Sequence, residues 1–140
     1  MNNIFFTVND VKLLEFPQIG DQLGHLVIIE NNKDIPFEMK RIFYIYGSDP
    51  DVVRGKHANR SSSFCLINVC GTSKVKVIDV NGNEKIFTLD RPHTGVYLPP
   101  MIWKDMYDFS SDSILLVLSD NFYDENEYIR DYEVFYSSKS

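Results

Sequence analysis

An imidazole and an amide two residues apart, His57 and Asn59 in the stretch Arg54-Gly55-Lys56-His57-Ala58-Asn59-Arg60, are the side chains of this chain best suited to chemistry. On an extended strand that spacing puts both on one face, looking into the same space. The imidazole titrates near pH 6.5 and can take up and return a proton at neutral pH, while a neutral amide is a poor metal ligand. A His-x-His pair would clamp a metal ion; His-x-Asn favours proton transfer.

Two such side chains need strands to hold them, and the remainder of the sequence supplies many. It reads as short apolar segments cut by turns, without linker, repeat or low-complexity tract, which is the pattern of an all-β sandwich or barrel. Strands are predicted over residues 11–16, 24–30, 41–46, 53–59, 63–70, 73–80, 84–89, 94–98, 102–109 and 113–119, a tally that suits a jelly roll. Asn81-Gly82 predicts a tight hairpin in which both residues take positive φ angles, and Gly71 predicts a second turn. Asp90-Arg91-Pro92 and Pro99-Pro100 end strands, because proline cannot donate to a ladder. Over residues 125–136 Tyr128, Ile129, Tyr132 and Phe135 recur at helical spacing while Glu127, Arg130, Asp131 and Glu133 face away, predicting a C-terminal helix packed on the barrel.

At 140 residues the chain has the size of one domain, here taken as 1–140, able to bury roughly 70% of its unfolded surface. A formal charge of -6 argues against a general binder of nucleic acid or anionic membrane, though a local basic pocket for one anionic ligand fits within an acidic average. The opening stretch from Met1 to Phe16 lacks a basic region followed by a long apolar core, and no run approaches the ~18 apolar residues of a bilayer span, so a cytoplasmic location is expected. Cys65 and Cys70 sit on one predicted strand, an odd number of steps apart, and are expected to be packed thiols on opposite faces. Aromatic content of 14% is high; most rings are expected in core and dimer packing, with Tyr44, Tyr46 and Tyr97 set apart because they flank the polar segments.

In a cupin-type double-stranded β-helix, His-x-His, a following carboxylate and a last His on a later strand meet at one point inside the barrel. That pattern runs here through Gly55, His57, Asn59, Ser63 and Gly71, and a second motif over residues 99–107 puts Lys104 in the last-His position. Three of four metal positions are thus Asn, Ser and Lys. A cation beside an ammonium group, with one imidazole ligand, would be poorly held, so no metal is expected.

More segments extend the likeness along nearly the whole chain. They are Ile29-Glu30-Asn31 followed by Asp34-Ile35-Pro36-Phe37, then Lys40-Arg41-Ile42-Phe43-Tyr44-Ile45, Arg54-Gly55-x-His57-Ala58, and Leu89-Asp90-x-Pro92-x-x-Gly95-x-Tyr97. Trp103-x-x-Met106-x-Asp108-Phe109-Ser110-Ser111-Asp112 and Tyr123-Asp124-Glu125-x-x-Tyr128-Ile129-Arg130-x-Tyr132 complete the set. In these the sequence resembles the dTDP-4-oxo-6-deoxyglucose 3,4-ketoisomerases of bacterial deoxyamino-sugar and glycan (lipopolysaccharide) synthesis. The resemblance implies an all-β, cupin-type jelly roll with a short C-terminal helix, a homodimer, and an isomerase needing neither metal nor organic cofactor. The implied substrate is a dTDP-linked 4-oxo-6-deoxyhexose, whose ketone moves to C3, ready for an aminotransferase. The C3 hydrogen is acidified by the neighbouring carbonyl, so a positioned base can remove it, form an enediol and allow a proton to return at C4.

On the resemblance His57 is the base. Members of the family carry a second His where this chain has Asn59, and often a His where it has Lys104. Asn59 is therefore expected to orient or hydrogen-bond the enediolate, and Lys104 to stabilise the oxyanion or, if burial lowers its pKa, to act as an acid. His25, His93 and Asp105 are further candidate proton carriers, and His57 acting alone at both carbons stays open. Arg41 and Arg54, with Arg60 a weaker third, are expected on the diphosphate, which a guanidinium matches with paired donors. Two other readings compete: a catalytically silent nucleotide-sugar binding cupin, and a cupin epimerase acting at C3 and C5.

Overall fold

A computed structural model of the chain describes residues 5–139. The described strands are β1 (Lys12–Glu15), β2 (Gln18–Asp21), β3 (Gly24–Val27), β4 (Arg41–Tyr46), β5 (Arg54–Asn59), β6 (Phe64–Cys70), β7 (Ser73–Ile78), β8 (Glu84–Leu89), β9 (Thr94–Leu98), β10 (Trp103–Tyr107), β11 (Ile114–Ser119) and β12 (Tyr128–Ile129), with one helix, α1 (Tyr132–Ser137). One sheet runs β1-β9-β6-β11-β4, a second β12-β5-β10-β7-β8, and β2-β3 forms a separate ribbon. All the strand pairings are antiparallel, and the chain passes repeatedly between the two large sheets, as in a jelly roll.

The two sheets meet through alternate residues of each strand. Phe64, Leu66, Val96, Leu115 and Val117 on one side pack against Val75, Val77, Leu89 and Met106 on the other. β6 is buried on both faces, because Phe16, Ile35 and Phe37 cover its outward Cys65 and Ile67. That explains the unbroken apolar run Phe64-Cys65-Leu66-Ile67. Outside the second sheet, α1 brings Phe135 onto Ala58, Ile78, Trp103 and Ile129.

All ten predicted strands form, and two were missed. β2 escaped because Gln18-Ile19-Gly20-Asp21 has one apolar residue and a glycine, a weak strand signal. The predicted helix over 125–136 is corrected more heavily. Glu125–Glu127 is a 3-10 turn capped by Asp124, Tyr128 and Ile129 pair with Asn59 and Ala58, and only Tyr132–Ser137 is α-helical. Edge pairing with β5 satisfies backbone groups that a helix would have satisfied internally, and it turns Glu127 inward, not out. The Asn81-Gly82 hairpin is present, but positive φ occurs at Gly82 and not at Asn81. The loop is instead organised by the buried Asp79 carboxylate, which accepts from the backbone N–H groups of Asn81, Asn83 and Val8 at 3.0 Å each. Both cysteines are free; Cys65 is buried, and its thiol is pushed up to about 12 by that burial, whereas Cys70 is exposed and not packed as expected.

Candidate active site

The site begins with a local fault in β5. Gly55 and Lys56 take φ of 86° and 55°, and the register with β10 slips between Lys104 and Asp105, so the strand carries a β-bulge. A Cβ at Gly55 would lie 2.9 Å from the Lys104 carbonyl oxygen, so only glycine fits there. The bulge brings the Gly55 carbonyl to 2.9 Å from Nδ1 of His57. A carbonyl only accepts, so in the neutral ring Nδ1 carries the hydrogen and Nε2 keeps its lone pair.

Past the bulge, His57 lies directly across from Lys104 of β10, on the same face. The two border a cavity of about 170 Å³ between the sheets, walled by Phe43, Ile45, Phe64, Leu66, Met106 and Val117, with Arg54, Tyr128 and Arg130 also lining it. Tyr128 packs against the imidazole with its ring tilted by 55°, ring centroids 4.8 Å apart. Lys104 is 4% exposed; its Nζ sits 4.2 Å from the centre of the Phe64 ring and donates to Oδ1 of Asn59 at 3.1 Å. Burial, then the neighbouring Lys104 charge, lowers the His57 pKa to about 4, and burial brings Lys104 down to about 7 despite the opposing charge of Glu127. At neutral pH the pair is therefore an uncharged imidazole beside a readily titrated amine.

Asn59 shares the strand face of His57 but does not line the cavity. Its amide is buried behind Lys104, with Nδ2 donating to Glu127 Oε1 at 2.7 Å. Arg54 lines the cavity, while Arg41 borders an adjoining cleft, its guanidinium 5.3 Å from the Phe43 ring and 5.6 Å from that of Tyr123. Two expected site residues lie elsewhere. Tyr44 alternates with Phe43 and Ile45, so it points out of β4 and is exposed beside Tyr46, while Tyr97 packs on Phe37 outside the first sheet. His25 is in the β2-β3 ribbon, and Ser63, which stands at the cupin carboxylate position, uses its backbone N–H on Asp120. The residues missed are Glu127, Tyr128 and Arg130, all within the segment mistaken for a continuous helix. Among the described residues no group of three or more His, Cys, Asp or Glu is placed to hold a metal ion.

An antiparallel jelly roll with a histidine and a buried lysine side by side in the gap between its sheets places the chain with the cupin-type sugar isomerases and epimerases. The fold alone is shared with the dTDP-4-dehydrorhamnose 3,5-epimerase of Bacillus anthracis, at a TM-score of 0.77 and 16% identity over 89% of this chain and 80% of that one. Within the class the match is narrower. The family model FdtA, described as WxcM-like, C-terminal, matches residues 9–140. The TDP-4-oxo-6-deoxy-alpha-D-glucose-3,4-oxoisomerase of Aneurinibacillus thermoaerophilus is 42% identical over 124 residues, 89% of this chain and 88% of its own. The 3,4-ketoisomerase QdtA of Thermoanaerobacterium thermosaccharolyticum, solved as a histidine-to-asparagine mutant with TDP-4-keto-6-deoxyglucose, superposes at a TM-score of 0.89 with 38% identity, over 93% and 94% of the two chains. The chain belongs to the FdtA family of sugar 3,4-ketoisomerases.

Proposed function

We propose that this chain converts a dTDP-4-oxo-6-deoxyhexose to its 3-oxo isomer with His57 as the proton carrier. The observation that carries the reading is the His57–Lys104 pair: Nδ1 is tied to the Gly55 carbonyl, and the buried Lys104 amine stands beside the ring on the neighbouring strand. In this scheme Nε2 takes the C3 hydrogen as a proton. The C–H electrons form the C3–C4 double bond and the carbonyl electrons move onto O4, where the Lys104 ammonium stabilises the enediolate. Oxyanion formation also offsets the lysine charge that suppresses protonation of His57, so the base strengthens as the transition state is reached. The imidazolium then returns its proton to C4, the O3 hydrogen leaves, and the ketone re-forms at C3. A lysine titrating near 7 can carry that hydrogen from O3 to O4. C3 and C4 are neighbours, so one imidazole can serve both.

Arg54 and Arg130, which line the cavity, are the expected partners of the diphosphate in this reading, with Arg41 in the adjoining cleft a further one. A ketone at C3 suits a following amination, which would place the reaction in deoxyamino-sugar synthesis. The free cysteines favour a cytoplasmic setting. The epimerase reading has no feature of the site in its favour, and the silent-binder reading rests on Asn59 alone, an amide that stands off the cavity wall.

The test is conversion of dTDP-4-oxo-6-deoxyglucose followed by NMR across pH. His57 must be neutral and Lys104 charged, so kcat/KM is expected to fall below a limb near 4 and above a limb near 7. A rate still climbing at alkaline pH would contradict these assignments. We also propose a homodimer, because Ile42, Tyr44 and Tyr46 leave an apolar outer face on β4 while Ile19, Leu23 and Leu26 are exposed on the ribbon. Light scattering is expected to give twice the chain mass, and a monomer mass would overturn this.

A further inference from the structure

Behind the cavity lies a buried polar cluster that none of the proton transfers above uses. It is built around a carboxylate. Glu127, 7% exposed, accepts from the backbone N–H groups of Ser61 and Ser62 at 2.9 Å each and from Ser61 Oγ at 2.8 Å. It also accepts from the Ser62 hydroxyl, and from Asn59 Nδ2 at 2.7 Å. Burial pushes this carboxyl up, but the hydrogen bonds from Ser62, Ser61 and Asn59 outweigh it and hold Glu127 below the usual carboxylate range. It is thus a fixed anion at neutral pH. Its link toward the cavity is Asn59, whose Oδ1 accepts from Lys104 Nζ. The amide can stand only one way round, since a carboxylate needs its NH2 group and an ammonium needs its oxygen. An amide also takes no proton of its own, so the positive charge stays on the lysine.

Resting on the ketoisomerase reading above, we infer that Glu127 is a positioning residue of the reaction, which through Asn59 fixes the Lys104 ammonium in place and keeps it charged against the substrate oxygen. The other charged or titratable groups facing Lys104 are His57 on β5 and Arg41 on β4, with Arg54 and the Arg130–Glu125 pair at the cavity. Of these, His57 is neutral and the arginines oppose the ammonium. Glu127 supplies the offsetting charge. The carboxylate that sequence position assigned to residue 63 is in effect delivered from the far end of the chain, by the pairing of β12 with β5.

The experiment follows the Lys104 titration by NMR in full-length protein with isotope-labelled lysine, alongside steady-state kinetics on dTDP-4-oxo-6-deoxyglucose. Glu127→Gln is expected to lower the Lys104 midpoint by about one pH unit, to move the alkaline limb of kcat down with it, and to cut kcat about tenfold with KM within about twofold. Asn59→Leu leaves the carboxylate in its serine cradle and is expected to do the same, which keeps the test open should Glu127→Gln fold poorly. Adding Asn59→Asp to Glu127→Gln restores a carboxylate beside the lysine and is expected to raise the midpoint again. In a Lys104→Met background, Glu127→Gln is expected to cost nothing further in kcat. An unchanged Lys104 midpoint in both single variants, or an equal kcat loss in the Lys104→Met background, overturns the inference. A parent enzyme that binds the nucleotide sugar without turnover overturns instead the reading on which it rests, and the NMR midpoints separate the two failures.

Discussion

His57→Ala is expected to lower kcat by about 10³-fold or more while leaving affinity for TDP within a few fold, measured by NMR turnover and calorimetry. A positioned general base contributes about 10²–10⁴ in rate. Here the loss falls toward the upper part of that range, because no second imidazole stands by. Position 59 is an amide, and His25 lies in the β2-β3 ribbon. Lys104 can act as a base only after giving up its own proton, which the scheme above keeps on it to receive the oxyanion. Affinity is spared because the nucleotide and diphosphate are expected to make their contacts with Arg54, Arg130 and the rim. Turnover within tenfold of the parent enzyme would remove His57 from the reaction.

Lys104→Met is expected to do two opposite things. Removing a preorganised donor to a developing oxyanion costs about 10²–10³ in kcat. The same change stabilises the fold. The Lys104 pKa is lowered from 10.5 to about 7 chiefly by burial, so the unfolded chain binds that proton more tightly than the native one. Native stability therefore falls as pH drops from above 10 toward 7, and the penalty is fully present below 7. Methionine escapes the penalty and keeps the contact with Phe64, but leaves the Asn59 oxygen without its donor, a cost of about 1–3 kcal/mol. The net expectation is a gain of about 1–3 kcal/mol at pH 6 that shrinks toward pH 10, read from denaturant midpoints at both pH values. A less stable Lys104→Met at pH 6 would show that the buried ammonium is net favourable to the fold. Loss of rate with gain of stability is what a strained functional site predicts.

The strands were legible because their period is local. Lys74-Val75-Lys76-Val77 or Arg41-Ile42-Phe43-Tyr44-Ile45 carries its own alternation, whatever it pairs with. The C-terminal segment was misread for the same reason. Tyr128, Ile129, Tyr132 and Phe135 satisfy a helical period by coincidence, and what decides their conformation is an edge of β5 some seventy residues away in sequence. That one long-range pairing also carries Glu127 into the interior, so missing it meant missing the residue that holds Asn59 and, through it, Lys104.

At the site, the sharing of a face by His57 and Asn59 followed from parity alone, but which of them would meet the cavity did not. That depends on the partners of the amide, Glu127 and Lys104, which come from two other segments. Parity could have taken Tyr44 out of the site at once. Arg41, Phe43 and Ile45 occupy one face of β4, so a tyrosine between them must look the other way. The bulge at Gly55 and Lys56 had a sequence signal in the glycine, yet its consequence, a carbonyl that fixes the His57 tautomer, is a matter of coordinates.

The fate of the C3 hydrogen tests the central claim most directly. Isomerisation of dTDP-4-oxo-6-deoxyglucose deuterated at C3, followed by NMR in ordinary water, is expected to give product carrying part of that deuterium at C4, the remainder having exchanged from the imidazolium, and His57→Ala is expected to abolish the transfer. Product formed at the normal rate with none of the substrate's deuterium at C4, or transfer unchanged in His57→Ala, would contradict an imidazole at position 57 that carries the proton between the two carbons.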